Sequence, residues 1–226
     1  MALADIQSLV ARLVRAPSDL VTPDDIDRAI ASAVRQYSQD RPRTLVRDTT
    51  WTDAGHYGPL PPDMDVESRV LQAECPIGDD PPSLRQVAIA LRPGDLVELV
   101  CDDSLAAGSA MRVEFTAAHV LDADTDTVPP AHRDVVGSWA AHLLCRELAA
   151  HFSGERESSI GADRSDTESR ARNYAARSKE YRAAYFAGLG LVDPTMAGAG
   201  NGSAAAGAGA VVSWPGRPRP WFNVRA

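Results

Sequence analysis

The spacing of apolar residues changes twice along this chain, and these changes limit what it can fold into. Near the N-terminus, apolar side chains recur three and four residues apart, at Ile6, Leu9, Val10, Leu13 and Val14. This spacing places them on one face of an α-helix, which we predict over residues 5–16. Asp5 is the expected N-cap, and Pro17 follows the end of the helix.

A second helix is predicted over residues 23–40. Thr22 is placed to cap it, Pro23 suits the first helical position, and acids at positions 24 and 25 favour the positive end of the helix dipole. Its apolar face contains Ile26, Ala29, Ile30, Ala33, Val34 and Tyr37. Because the connection between the two helices is short, we expect them to pack together.

The middle of the chain, about residues 43–120, has a different pattern. Runs rich in Val, Leu and Thr alternate with Gly- and Pro-containing turns, predicting strands at 43–51, 66–75, 84–91, 96–101 and 111–116. The last two strands are predicted to pair with each other across a loop at 102–110. This pattern indicates a small, mostly antiparallel sheet inserted after the helical pair.

Helical spacing then returns, predicting long helices over residues 131–153 and 165–187. The first has apolar residues on several sides, at Val136, Trp139, Leu143, Leu144, Leu148 and Phe152. The second opens with a capping-box pattern at 165–168 and carries Tyr174, Tyr181 and Tyr185 on one face. The predicted fold class is α+β, mainly α: a helical bundle with an inserted antiparallel sheet, forming one domain over residues 1–192.

The C-terminal part differs in composition from the rest. Residues 193–210 are interpreted as a flexible linker, since 197–210 contain only Gly, Ala, Ser and Asn. Residues 211–226 form an aromatic and basic arm, whose candidate partner-binding residues are Val211, Val212, Trp214, Trp221 and Phe222. Aromatic side chains dominate interface energies, so we expect the arm to be captured by another subunit. The alternative is a disordered end.

Charge and cysteine content restrict the classes of function. The net charge is −8, and residues 1–130 hold 22 acids against 11 bases. Sequence-independent binding of nucleic acid through a basic surface is therefore not expected. No apolar run is long enough for a membrane span, and the N-terminus lacks the pattern of a secretory signal. Three widely spaced cysteines favour a reducing compartment over a disulfide framework.

The sequence contains no constellation typical of catalysis or cofactor binding. Walker, dinucleotide-binding, nucleophile-elbow and HExxH patterns are absent. His142 and Cys145 share a helix face but supply two ligands at most, and the run Asp122, Asp124, Asp126 lacks the Gly and Glu of a calcium loop. We therefore predict no catalytic, cofactor-binding or metal residues and no enzymatic activity.

Four stretches, together with the order of elements, carry a family resemblance. They are TPDDIDRAI at 22–30 leading to Tyr37, Pro42-Arg43, GSAMRVEF at 108–115 and VPPAHRDVV at 128–136. Over about residues 5–190 the chain resembles the head–tail adaptor (connector) proteins of tailed bacteriophages. The resemblance implies a ring, usually of twelve copies, that binds the portal protein and a downstream neck or tail protein. It also implies a DNA channel, no catalytic residues, and a place in the virion neck after synthesis in the bacterial cytoplasm.

Two surface hypotheses follow from this resemblance. Part of the acidic charge of residues 1–130 is expected to face the channel, where it would repel phosphate and let DNA slide. Contacts between neighbouring subunits are assigned to Arg164, Arg170, Arg172 and Arg177 together with the tyrosine face of the last helix. The alternative for the tyrosines is packing inside the protomer.

Three other functions remain open from the sequence. The first is another neck component, such as a stopper or tail terminator, which would be richer in β-structure. The second is a small enzyme on a helical scaffold, which would need a deep pocket with converging polar groups. The third is a soluble interaction protein with no role in a virion.

Overall fold

The computed structural model describes residues 2–17, 20–154 and 163–196, with the side chains of 163–169 left outside the description. It contains α1 (Ala2–Val14), α2 (Pro23–Asp40), α3 (Arg133–Gly154) and α4 (Asp163–Leu189). Helices account for about 42% and strands for about 25% of the described residues, which confirms the α+β, mainly α class.

The helix boundaries follow the capping chemistry. At α2 the Thr22 hydroxyl accepts a hydrogen bond from the Asp25 amide, and the Asp25 carboxylate accepts one from the Thr22 amide at 2.9 Å. The helix α1 begins at Ala2, so Asp5 lies in its first turn and is not the N-cap predicted for residues 5–16. The predicted helix 131–153 begins later, at Arg133, because a 3₁₀ turn at Pro130–His132 precedes it.

The helix α3 lies at the centre of the helical bundle and contacts the other three helices. Its side chains are buried all around the axis, and Trp139 lies 4.6 Å from the Tyr185 ring of α4, centroid to centroid. Close approach to α1 requires Gly137, since a Cβ there would lie 2.7 Å from Leu9 Cδ2. The broad apolar surface of the sequence thus corresponds to a central helix.

The insertion forms two sheets and not the single sheet predicted. The strands are β1 (Arg43–Thr50), β2 (Gly55–Gly58), β3 (Val70–Glu74), β4 (Leu84–Arg85), β5 (Val87–Arg92), β6 (Leu96–Leu105) and β7 (Ala110–Ala117). One sheet has the order β1-β7-β3-β4 and the other β2-β6-β5, with antiparallel pairing throughout.

The predicted pairing of 96–101 with 111–116 is wrong, because β6 and β7 belong to different sheets. The turn between them is fixed by Gly108, which has φ of 84° and donates its amide hydrogen to the Trp51 carbonyl at 2.8 Å. The inward side chains of β6 and β7 therefore pack on the same core instead of lying side by side. The short strand β2 falls in a stretch that the sequence indicated to be turns.

This second core is built around Trp51, which is completely buried. Its indole nitrogen donates to the Gly55 carbonyl at 3.1 Å. Gly58 lies flat against the ring, since a Cβ at this position would come within 2.4 Å of Trp51 Cε3. The described residues thus form two separate apolar cores, one helical and one between the sheets.

A polar junction connects the two cores at the C-terminal end of α2. His119, where the chain leaves the insertion, has Nε2 3.0 Å from the Arg41 carbonyl oxygen and Nδ1 2.9 Å from the Thr127 carbonyl oxygen. The His119 amide donates to the Ser38 hydroxyl at 2.8 Å, and its ring lies 4.8 Å from that of Tyr37. Both ends of the insertion are therefore fixed to the last turns of α2.

Candidate interaction surfaces

Exposed large apolar side chains are concentrated in the insertion. Among the described residues they are Val46, Tyr57, Val66, Leu71, Leu84, Leu91, Leu96, Val120, Val192 and Met196. Seven of these lie within the insertion strands and their connecting loops, and none belongs to a described part of a helix. Because scattered apolar residues are ordinary on a protein surface, the informative feature is that most of them lie in the insertion and none lies on a described part of a helix.

The hairpin tip, residues 91–97 at the β5–β6 turn, carries two exposed leucines. Leu91 is 66% exposed and Leu96 is 51% exposed. Leu91 pairs with Val97, and both lie on the same face of the sheet as Ile89 and Leu99. Ile89 and Leu99, nearer the base of the hairpin, are part of the core between the sheets. At the tip, the core-facing side of the hairpin therefore extends beyond the four-stranded sheet, and Leu91 is left exposed.

The base of the hairpin tip is held by Arg92. Its guanidinium lies 4.5 Å from the centroid of the Tyr57 ring and donates to Glu98 at 2.8 Å. The hydrogen bond and charge of Glu98 raise the pKa of Arg92. These contacts of Arg92 hold in place the hairpin that carries the exposed leucines.

The outer face of the four-stranded sheet is acidic. Strand register places Asp48, Glu74 and Glu114 on this sheet face, with Arg112 between them. Arg112 donates to Asp48 at 2.9 and 3.1 Å, and one of its nitrogens lies 3.9 Å from Glu74. Three carboxylates and one guanidinium leave the sheet face with a negative charge, which repels phosphate.

The tyrosine face of α4 packs inside the protomer. Tyr185 is fully buried and donates to the Asp40 carboxylate at 2.6 Å. The Tyr181 hydroxyl and the Arg177 guanidinium both donate to the Leu13 carbonyl, with the Tyr181 bond at 2.8 Å. Leu13 lies in the last turn of α1, where carbonyls have no partner within the helix, so these bonds fasten α1 to α4.

The arginines assigned to subunit contacts occupy different environments. Arg170 is exposed and stands 5.9 Å from the centroid of the Phe152 ring, while Arg172 is also exposed. Arg177 is engaged within the protomer, as described above. The side chain of Arg164 and the whole of the arm, with Val211, Val212, Trp214, Trp221 and Phe222, lie outside the described residues.

The linker predicted from residue 193 begins with a turn attached to the fold. Arg182 donates to both oxygens of Asp193, at 2.8 and 2.9 Å, and Thr195 donates to Asp193 at 2.9 Å through its backbone. These bonds lower the pKa of Asp193 to about 2, the Arg182 hydrogen bond contributing most. The anchored chain therefore continues beyond position 192.

Two buried ionisable side chains of α3, His142 and Cys145, are packed in the helical core. The His142 ring nitrogen Nδ1 lies 2.9 Å from the Ser178 carbonyl, and burial lowers the pKa of His142. Burial raises the pKa of the Cys145 thiol to about 11, so it is protonated at neutral pH and not a reactive thiolate. No group of three or more His, Cys, Asp or Glu in the described residues is placed to hold a metal ion.

Acid is expected to destabilise the protein in two separable steps. His142 binds a proton more readily in the unfolded chain, so the free energy of unfolding falls as pH drops below about 6.5. Asp193 keeps its charge in the folded chain down to about pH 2, so a second loss occurs between about pH 4 and 2. Urea unfolding followed by circular dichroism at several pH values measures both.

Single variants separate these two contributions. His142→Gln is expected to remove the loss of unfolding free energy below about pH 6.5 and to retain the loss between about pH 4 and 2. Asp193→Asn is expected to retain the first loss and to reduce the second. A wild-type stability that stays constant between pH 7 and 5 would contradict the first assignment.

An apolar groove lies between the start of α2 and the end of α3. It has a volume of about 240 Å³ and is lined by Leu20, Val21, Asp25, Leu144, Glu147, Leu148 and His151. Four of these residues are apolar, and the carboxylates of Asp25 and Glu147 stand at the rim. Ligand pockets for small molecules usually have volumes of roughly 300–1,000 Å³, so this groove suits a side chain better than a substrate.

Comparison with known proteins adds a similarity at the level of structure. No family model matches the chain, and no curated protein matches it. A chain in a solved structure titled "Neck of empty GTA particle computed with C6 symmetry" is similar over 68% of this chain and 79% of its own length, at 12% identity and a TM-score of 0.23. This particle is a gene transfer agent. A TM-score of 0.23 lies well below the level at which two chains share one fold.

No helix in the described ranges 2–17, 20–154 and 163–196 combines the length and apolarity needed to cross a bilayer.

Proposed function

We propose that this chain is a structural protein of a phage neck, a head–tail adaptor that forms a ring beneath the portal and links it to the next neck or tail protein. The observation that carries the proposal is the confinement of exposed large apolar residues to the insertion and the segments that flank α3 and α4. Such a distribution suits a helical body that displays an association element.

The hairpin tip is assigned to contact between neighbouring subunits. A ring needs heterologous interfaces, in which a projecting patch on one copy meets a different patch on the next. Leu91 and Leu96 project from a hairpin that Arg92 already holds in place. Because the hairpin backbone is ordered before association, inserting these leucines into a neighbouring subunit costs little additional conformational entropy. Exposed Arg170 and Arg172 are proposed to contribute polar contacts at the same interfaces, and Arg164 is proposed with them from its sequence position.

The sheet face is assigned to the DNA channel. Asp48, Glu74 and Glu114 repel phosphate, whereas a cationic wall would bind the passing DNA without regard to sequence. The arm, with Trp214, Trp221 and Phe222, is assigned to the portal or a neighbouring subunit. Deleting residues 211–226 tests this assignment, and a truncated chain that binds portal rings as tightly as the full chain would contradict it.

Helix content favours an adaptor over the other neck components considered. A stopper or tail terminator is expected to be richer in strands, whereas helices here account for about 42% and strands for about 25% of the described residues. An enzyme is disfavoured by the nature of the buried groups: Cys145 is a protonated thiol, and His142 is bound to Ser178 in the helical core.

Genetic removal tests the proposed function. Without the gene, we expect heads and tails that do not join, with joining restored by a plasmid copy of the wild-type gene. A plasmid copy carrying Ala31→Asp, on the exposed side of α2, is expected to restore joining equally well and serves as the control. Normal particles in the absence of the gene would overturn the proposal.

A further inference from the structure

The apolar groove has a chemical character that matches one segment of this chain. Leu20 and Val21 line it before α2, and Leu144 and Leu148 line it on α3. At the rim, Asp25 is already paired with Arg28 and bonded to Thr22. Glu147 is exposed and has no hydrogen-bond or ion-pair partner among the described residues, so it supplies the uncompensated negative charge.

We propose that residues 211–226 of the same chain dock in this groove in the isolated protein. The arm carries Trp214, Trp221 and Phe222 together with three arginines at 217, 219 and 225, and it has no acidic residue. An aromatic side chain fills an apolar groove of about 240 Å³, and an arginine beside it pairs with Glu147. Apolar and charge complementarity therefore point to the same occupant.

The connection between the fold and the arm has a suitable length. The described chain ends at Met196, shortly after Leu189, whose carbonyl accepts a hydrogen bond from Arg41 at the end of α2. The groove lies at the start of α2, and the 16 residues from Asp25 to Arg41 span about 24 Å of helix.

Seventeen residues, most of them Gly and Ala, separate Met196 from Trp214, and coil statistics give such a chain an rms length of roughly 21–25 Å. Effective concentration is greatest when the rms length of a linker matches the span that it bridges.

This intramolecular contact goes beyond the proposed adaptor function and does not depend on it. It places one aromatic side chain of the arm out of solvent in the free chain. It also means that a portal or a neighbouring subunit must compete with the groove for the arm, which delays capture of the arm until such a partner is present at high local concentration.

Photo-crosslinking of the full chain tests the docking directly. Phe222 is replaced by the photoreactive analogue benzoylphenylalanine, and the dilute monomer is irradiated and digested for mass spectrometry. We expect the major crosslinks to join the arm to peptides containing residues 20–25 or 144–151. Mixing ¹⁴N- and ¹⁵N-labelled protein before irradiation is expected to give crosslinks within one isotope only.

Two charge reversals provide matched variants. Glu147→Arg is expected to lower the crosslink yield several-fold, whereas Glu180→Arg, on an exposed position of α4, is expected to leave the yield unchanged. Crosslinks spread over the surface, or a yield equally reduced by both variants, would overturn the proposal. Mixed-isotope crosslinks to the groove would also overturn it, because the arm would then belong to a second copy.

Discussion

Replacing Trp51 with alanine is expected to lower the free energy of unfolding by about 3–5 kcal/mol. Trp51 is completely buried between the two sheets, where Gly58 packs flat on its ring. Its removal leaves a cavity that the surrounding strands cannot close, and the Gly55 carbonyl loses the indole hydrogen bond. Urea unfolding of purified protein, followed by circular dichroism, measures the loss.

A matched variant separates the destabilisation caused by the cavity from that caused by the lost hydrogen bond. Trp51→Phe retains most of the ring and loses the indole donor, so its cost is expected to be clearly smaller than that of Trp51→Ala. If the alanine variant is destabilised by less than about 1 kcal/mol, the core between the two sheets is not packed as described above.

The double substitution Leu91→Asp, Leu96→Asp is expected to have the largest effect on assembly. Both leucines are exposed in the free chain, so the substitutions cost the fold little, yet they place two charges in the contact that we assign to the ring. Truncating an interface hot spot costs about 2 kcal/mol or more, which corresponds to at least a roughly 30-fold weaker association. Analytical ultracentrifugation of the protein with portal rings measures assembly of the ring on the portal, which requires these contacts between neighbouring subunits.

Ala31→Asp serves as the control for this experiment, since it adds one charge to an exposed position of α2, away from the hairpin tip. The control is expected to associate like the wild type. Equal binding by the hairpin variant and the wild type would remove the hairpin tip from the interface, and weakened binding by both variants would show that charge alone causes the loss.

The elements predicted most accurately were those fixed by local chemistry. The helix α2 begins and ends where Thr22, Pro23 and the apolar stripe place it, since the capping box and the dipole act within one turn. The burial of α3 on several sides agrees with the apolar residues that the sequence places on several of its sides. Strand β1, at Arg43–Thr50, was likewise predicted within one residue of its end.

Features that depend on distant partners could not be predicted in the same way. Both β6 and β7 alternate as strands do, but alternation does not reveal that their inward faces meet across a core. Strand β2 is four residues long and contains two glycines, so its formation depends on pairing with β6. The role of His119 arises only when Arg41 and Thr127 are brought together by the fold.

The candidate surfaces show the same limit. The charge of residues 1–130 indicated an acidic wall, but the choice of Asp48, Glu74 and Glu114 required the strand register. The hairpin tip falls in one of the predicted Gly- and Pro-containing turns, at Arg92-Pro93-Gly94-Asp95 between the predicted strands 84–91 and 96–101. The exposure of Leu91 is visible only in the structure, where no other strand covers it. Arg177 was assigned to a neighbour from its position in sequence, and its contact with Leu13 depends on how α1 packs.

Electron microscopy of portal rings mixed with this protein tests the central claim most directly. Portal from the same genome is imaged alone and with an excess of the purified full chain. We expect an additional ring of density, coaxial with the portal and at one end of it, with an open central channel. Portal images that are unchanged by an excess of the protein would contradict the account.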